Sequence, residues 1–305
     1  PDHDSYLSIK KRPITITATK AEKVFDGEEL TSSAFEYTLF NESSGEGLVS
    51  GKIALKTIGS QIFVGYSDNA IDEDSIVITD EKGNVVTDNY AITCVSGTLT
   101  VTKRPITITS HSAQKVYDGL EFSEQDFDYT PFDGKNEVGL VTWHSARLTK
   151  FATLTDADEI QNEIEVVIEK GENDKIDVTE NYKITYEYGI LTVSQRPITI
   201  TADSESKMYD GTPLVRNSYT YTQYNDNPQE GLLQIHSISA TVEGTITNVK
   251  ESPVSNIVDE DSVVISDGKG NSTRSDGKPL KENYDISFNQ GRLDITPRPI
   301  GIQTG

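Results

Sequence analysis

Acidic side chains in tight clusters are the first residues of this chain that could do chemistry. Asp72-Glu73-Asp74-Ser75 and Asp259-Glu260-Asp261-Ser262 each gather hard oxygen donors, the donor type that calcium takes. Asp72, Asp74, Asp259 and Asp261 are therefore candidate calcium ligands, although no EF-hand spacing frames them. A solvated acidic loop just before a strand is the simpler reading. The second copy has Asp156-Ala157-Asp158-Glu159 nearby, shifted in position. A second chemistry is an intramolecular Lys–Asn isopeptide bond. Lys23, Lys115 and Lys207 recur in register, as do Asn89, Asn181 and Asn283, each asparagine preceded by an acid. Attack of the amine on the carboxamide would expel ammonia; a lysine on an exposed strand and an asparagine in a turn is the simpler reading. The histidines His3, His111, His144 and His236 do not repeat with the domains and have no partners at metal spacing, so His144 and His236 read as ordinary strand residues. No nucleophile, base and orienting group suggest themselves together, and the chain reads as non-enzymatic with no cofactor beyond the candidate calcium.

The elements that must position these residues come in copies. Arg12-Pro13-Ile14-Thr15-Ile16-Thr17 returns at Arg104-Pro105, at Arg196-Pro197 and, as Arg298-Pro299-Ile300-Gly301-Ile302, near the end. The spacings are 92, 92 and 102 residues, so the chain is a tandem array. Residues 12–103, 104–195 and 196–297 form three β repeats, with 1–11 as the tail of a preceding repeat and 298–305 as the start of a following one. Before each Arg-Pro stands a second alternating run, such as Leu7-Ser8-Ile9 or Leu99-Thr100-Val101. Apolar residues fall on odd positions before Arg-Pro and on even positions after it, so the buried face of an extended segment switches there. One segment thus ends one core and begins the next. Proline, which donates no ladder hydrogen bond, suits a boundary or an edge. With no Gly/Ser linker the connection is expected to be stiff.

Within each repeat an aromatic–Asp–Gly turn follows the opening strand: Phe25-Asp26-Gly27, Tyr117-Asp118-Gly119 and Tyr209-Asp210-Gly211. Asp bonds the local backbone and Gly accepts positive φ, so these residues read as turn formers, with the aromatic packed across the turn. A strand holding Phe35/Tyr37, Phe127/Tyr129 or Tyr219/Tyr221 comes next, then Phe40, Phe132 or Tyr224 in a polar loop, then Gly47-Leu48 and its counterparts opening a long strand pair. Asn89-Tyr90, Asn181-Tyr182 and Asn283-Tyr284 begin the closing strands. The third copy has an enlarged loop at 267–280. No sustained helical period appears. The fold class is all-β: three tandem Ig-like or β-sandwich-type repeats, antiparallel and of about seven strands each, in an elongated rod joined by a shared extended strand.

The formal net charge of −22 is spread through the repeats, which argues against nucleic acid or an anionic membrane surface as partner. Cys94 is the only cysteine, so intrachain disulfides and thiolate metal clusters are ruled out, and it reads as a small core residue. No signal peptide and no membrane-spanning run is visible. A monomer is expected.

Together Arg-Pro-Ile-Thr-Ile-Thr, Lys-x-Tyr-Asp-Gly, Gly-Leu and the Asn-Tyr strand resemble the MBG/YDG-type repeats of large bacterial surface proteins. Phe25 departs from the tyrosine of that motif, as does the enlarged third loop. The resemblance implies Ig-like or β-grasp-like domains of an extracellular, cell-wall-attached or secreted adhesin, used as a stalk and partnered by neighbouring repeats of the same chain. It also implies host glycan or mucin as a partner. Trp143, Tyr224 and the loop from Asn271 to Asp276 are the candidate contacts, because they vary between copies.

Overall fold

The computed structural model describes residues 8–302; His3, Leu7 and residues 303–305 lie outside the described residues. Alternating β-branched and polar residues give strands throughout, and the helical content is confined to short 3-10 turns. The first repeat contains β1 (Arg12–Ala18), β2 (Ala21–Val24), β3 (Phe35–Tyr37), β4 (Lys52–Ile58), β5 (Gly65–Thr79), β6 (Tyr90–Val95) and β7 (Gly97–Thr102). The second contains β8 (Arg104–Ser110), β9 (Ala113–Val116), β10 (Phe127–Tyr129), β11 (His144–Phe151), β12 (Asp158–Gln161), β13 (Ile164–Lys170), β14 (Ile176–Asp177), β15 (Tyr182–Glu187) and β16 (Ile190–Ser194). The third contains β17 (Arg196–Ala202), β18 (Glu205–Met208), β19 (Tyr219–Tyr221), β20 (Asn225–Asp226), β21 (Gln229–Glu230), β22 (His236–Glu243), β23 (Val254–Asp267), β24 (Tyr284–Asn289) and β25 (Gly291–Thr296).

Two compact units divide the chain, and they do not follow the Arg-Pro boundaries. The first unit comprises Pro1–Thr109, Phe127–Thr149 and Glu165–Glu187; the second comprises Ser110–Asp126, Lys150–Ile164 and Tyr188–Gly305. Each unit therefore contains one repeat boundary whole.

In the first unit β1 lies between β3 and β6 and sends Ile14, Ile16 and Ala18 inward. They pack on Ile71, Ile76 and Ile78 of β5, with Phe35, Ile92 and Cys94 at the margin. β5 is shared: Gly65–Asn69 pairs with β7, and Ala70–Thr79 pairs with β4. β7 buries Leu99 and Val101, whereas β8 buries Arg104, Ile106 and Ile108. The inward face thus changes parity across Lys103, and the two strands belong to different sheets. In the second unit β17 lies in the same way between β19 and β24, and β25 pairs with β18 and β23.

Four expectations need correction. The sheets are mixed: β1 runs parallel to β6 and β2 parallel to β7, with equivalent parallel pairs in the later repeats. The closing strands return beside the opening ones after a crossover through the opposite layer, and such a return produces parallel neighbours. The prolines sit inside central strands: Pro13, Pro105 and Pro197 each stand second in theirs and accept from Gly47, Gly139 and Gly231 N–H. Those glycines open no strand; at Gly47, with φ +84°, a Cβ would stand 2.0 Å from the Leu39 carbonyl oxygen. Finally, the acidic clusters lie within strands and not in loops. Asp72 to Ser75 is part of β5 and forms a bulge against β4, where Ser75 Oγ accepts from Lys56 N–H at 2.7 Å and donates to Asp72 O. Asp259 to Ser262 in β23 repeats the device, with Thr241 N–H as donor.

Candidate functional site

The most elaborate side-chain chemistry in each unit lies at the repeat boundary. At the first boundary Arg104 is 1 % exposed. Its Nε donates to Gly139 O, Nη2 to Asp133 O and Val138 O, and Nη1 to Phe25 O at 3.3 Å. Its guanidinium lies 4.5 Å from the Phe132 ring centroid. A buried charge is tolerable here because backbone carbonyls take its donors and an aromatic face covers it. Phe25, from the preceding repeat, is 1 % exposed and meets the Tyr182 ring edge-on at 5.7 Å. Asn181, held by a 3-10 turn, accepts Val64 N–H of the preceding repeat at 2.8 Å.

The second boundary is built alike. Arg196 reaches Gly231, Asn225 and Glu230 carbonyls and gives Nη1 to Tyr117 O. Tyr117 packs edge-on against Tyr284 and sits in one apolar cluster with Leu232, Leu233 and Leu280 of the third repeat. Asn283 accepts Ala157 N–H at 2.8 Å and donates to Asp156. Phe25 and Tyr117 of the Asp-Gly turns therefore pack into the next repeat and not across their own turns. The turn itself is as expected: Asp26 Oδ1 accepts Glu28 N–H and Lys23 Nζ. Partial burial opposes its ionisation, but those bonds outweigh it and hold the carboxyl below the usual range.

His144 and His236 belong to these boundaries, and they stand 92 residues apart, in register. The first repeat has Lys52 there, which hid the repeat. Tyr182 Oη accepts Val141 N–H and pairs with His144 Nδ1 at 2.6 Å; Tyr284 does the same with Leu233 and His236. Burial, with the nearby charge of Lys170, pulls the His144 imidazole down to about 4. Burial also lowers His236, opposed by Asp267, and it pushes the Tyr182 hydroxyl up to about 12. Both partners of the pair are held neutral, an arrangement that fixes geometry and moves no proton at neutral pH.

No known family model matches this chain, and no curated protein does.

The residues singled out in the sequence are distributed as follows. Trp143 covers Gly27, whose added Cβ would stand 2.8 Å from the indole. Tyr224 repeats the Arg104–Phe132 pair, its ring 4.9 Å from Arg196 and its hydroxyl bonded to Asp226. Asn271 closes the turn at Asp267, while Asp276 pairs with Arg274 at 3.1 Å. Arg274, 8 % exposed, reaches from the enlarged loop to Ala157 O, Asp156 and Asp158. That loop thus braces the second boundary, a role its composition did not reveal. Asp72 and Asp74 lie on β5, Asp259 and Asp261 on β23. Among the described residues no group of three or more acidic, histidine or cysteine side chains could hold a metal ion. Lys23, Lys115 and Lys207 each bind the aspartate of their own turn. Asn181 and Asn283 bind the neighbouring repeat, so amine and carboxamide have different partners.

Proposed function

We propose that this chain is a non-catalytic spacer: tandem β repeats of a bacterial surface adhesin of the MBG/YDG type, which hold a distal domain away from the cell. The observation that carries this reading is the arginine buried at each repeat boundary. Arg104 and Arg196 tie the aromatic turn of one repeat to three carbonyls of the next, with no flexible linker between. A repeat that shares its core with its neighbour behaves as one element of a quasi-one-dimensional series. Solution scattering tests this. At about 35–45 Å per repeat from strand rise, a largest dimension on the order of 110–130 Å is expected. A compact or widely distributed particle would sink the reading.

One observation favours a second reading, in which the repeats themselves bind host glycan or mucin. Trp143 remains 46 % exposed beside a cavity of about 560 Å³ lined also by Lys170, Glu172 and Lys175. Binding of the multivalently displayed chain to a glycan and mucin array, lost in Trp143→Ala, would support it. Silence on the array would remove it.

A further inference from the structure

Two side chains that set the second repeat apart from its neighbours line one cavity. Trp143 stands two residues after Val141, whose N–H meets the boundary tyrosine; the same step from Val49 and Leu233 reaches Gly51 and Ile235. Lys170 stands two residues after the buried Ile168; the same step from Ile78 and Ile265 reaches Asp80 and Asp267. Those aspartates close their own turns by accepting the N–H groups of Asn84 and Asn271. Lys170 closes none. Among the described residues its ammonium has no ion-pair or hydrogen-bond partner.

The cavity, of about 560 Å³, opens between residues 142–145 and the hairpin of β13 and β14. Trp143 gives it a half-exposed aromatic wall. His144 gives it a buried one, and the His144 Nε2 has no hydrogen-bond partner among the described residues. A buried ring nitrogen in a cavity wall calls for a polar group that this chain does not supply. The local charge also runs against that of the whole. Glu169 is held by Arg147 at 2.8 Å and by Lys175 at 3.0 Å, and Glu172 and Lys170 stand beside them. Three cations therefore meet two carboxylates, in a chain of net charge −22. One positive charge, at Lys170, is left to be matched.

We propose that this cavity binds a sugar ring bearing a single carboxylate, with Trp143 against the ring and Lys170 on the carboxylate. The proposal rests on the reading in which the repeats bind glycan, and it names the class of sugar. A pyranose offers a flat C–H face to an indole, an apolar contact that leaves its hydroxyls in water. The carboxylate accepts a charge-assisted bond from the lysine. Polyanions are disfavoured, because one unmatched cation offsets one charge and the field of the remaining chain repels the rest. Neutral sugars gain the ring contact alone. The site belongs to the second repeat, since Asp80 and Asp267 would repel a carboxylate at the equivalent places.

Trp143 is the only tryptophan, so its emission reads the site directly in the whole chain. Titration with sialyllactose and with a glucuronate-terminated disaccharide, against lactose and maltose, tests the proposal. A saturable emission change with at least one acid is expected, with the neutral sugars about tenfold weaker; which acid responds separates a sialic from a uronic source. Lys170→Asp installs the residue that the first and third repeats carry, so the fold accepts it. It should weaken the acid about tenfold and leave lactose unchanged. Added salt should weaken the acid alone. Acidic and neutral sugars bound equally well, or acid binding that ignores Lys170→Asp, would overturn the proposal and leave the glycan reading standing. Silence toward all four sugars up to about 10 mM would remove that reading and the proposal with it.

Discussion

The two repeat boundaries share a frame and differ in what fills it. Arginine to an aromatic carbonyl, tyrosine to a backbone N–H and asparagine to the preceding loop recur in both. These are directional bonds, and they set the register in which one repeat meets the next. Around them the first boundary places Phe25, Trp143 and a histidine near Lys170; the second places Tyr117, Ile235, a histidine near Asp267, and the Arg274 brace. The difference teaches that register and strength are written in separate residues. A boundary can be retuned in acid sensitivity or tightness without losing its alignment.

The largest effect should come from the aromatic anchors. Phe25→Ala and Tyr117→Ala each remove a buried ring and should cost about 3–5 kcal/mol of stability by denaturant unfolding. Trp143 is the only tryptophan, and it covers the Phe25 turn, so its emission should shift to the red in the first variant and stay unchanged in the second. Equal emission changes in both would break the separation of the two boundaries. Acidification comes next. The folded chain holds His144 neutral down to about pH 4, while the unfolded chain protonates it near 6.5. Stability is therefore full above pH 6.5 and falls as pH drops toward 4, by on the order of 2–3 kcal/mol. The loss at the second boundary should be smaller, because Asp267 favours the imidazolium of His236. His144→Asn should flatten the acid limb more than His236→Asn; the reverse order would refute the assignment.

Much of the frame was legible before any coordinates, and the reason is periodicity. Alternating residues fixed the strands, and the odd-to-even shift across Arg104 marked the change of buried face that Leu99, Val101, Ile106 and Ile108 display. What stayed hidden depends on partners distant in the chain. Nothing in Phe25 says that it will pack on Tyr182, and Ile14 and Ile92 carry no mark of running parallel. His144 and His236 were legible from their 92-residue spacing, but Lys52 in the first copy masked it. Trp143 and the enlarged loop varied between copies and so resembled free surface; variation there reflects a boundary that each repeat completes in its own way.

Arg274 sharpens the comparison at a lower magnitude. Its carboxylate partners keep contact with water, so Arg274→Ala should cost about 1–2 kcal/mol, less than removal of a fully buried ion-pair member. Hydrogen exchange should rise at Ala157 and leave Val64 unchanged; a rise at both would make the loop a general stabiliser and not a brace for one boundary.

Calcium should produce the smallest effect. Asp72 and Asp259 already present their backbone oxygens to Ser75 and Ser262, and Asp259 Oδ1 accepts the N–H of Asp261. An ion at either bulge would have to assemble six or more oxygens, and Glu73, Asp74, Glu260 and Asp261 stand exposed to water. Melting curves with calcium and with chelator should therefore superimpose. A rise of several degrees in calcium, lost in Asp72→Asn or Asp259→Asn, would show that the bulges bind the ion and that the acidic runs serve more than strand geometry.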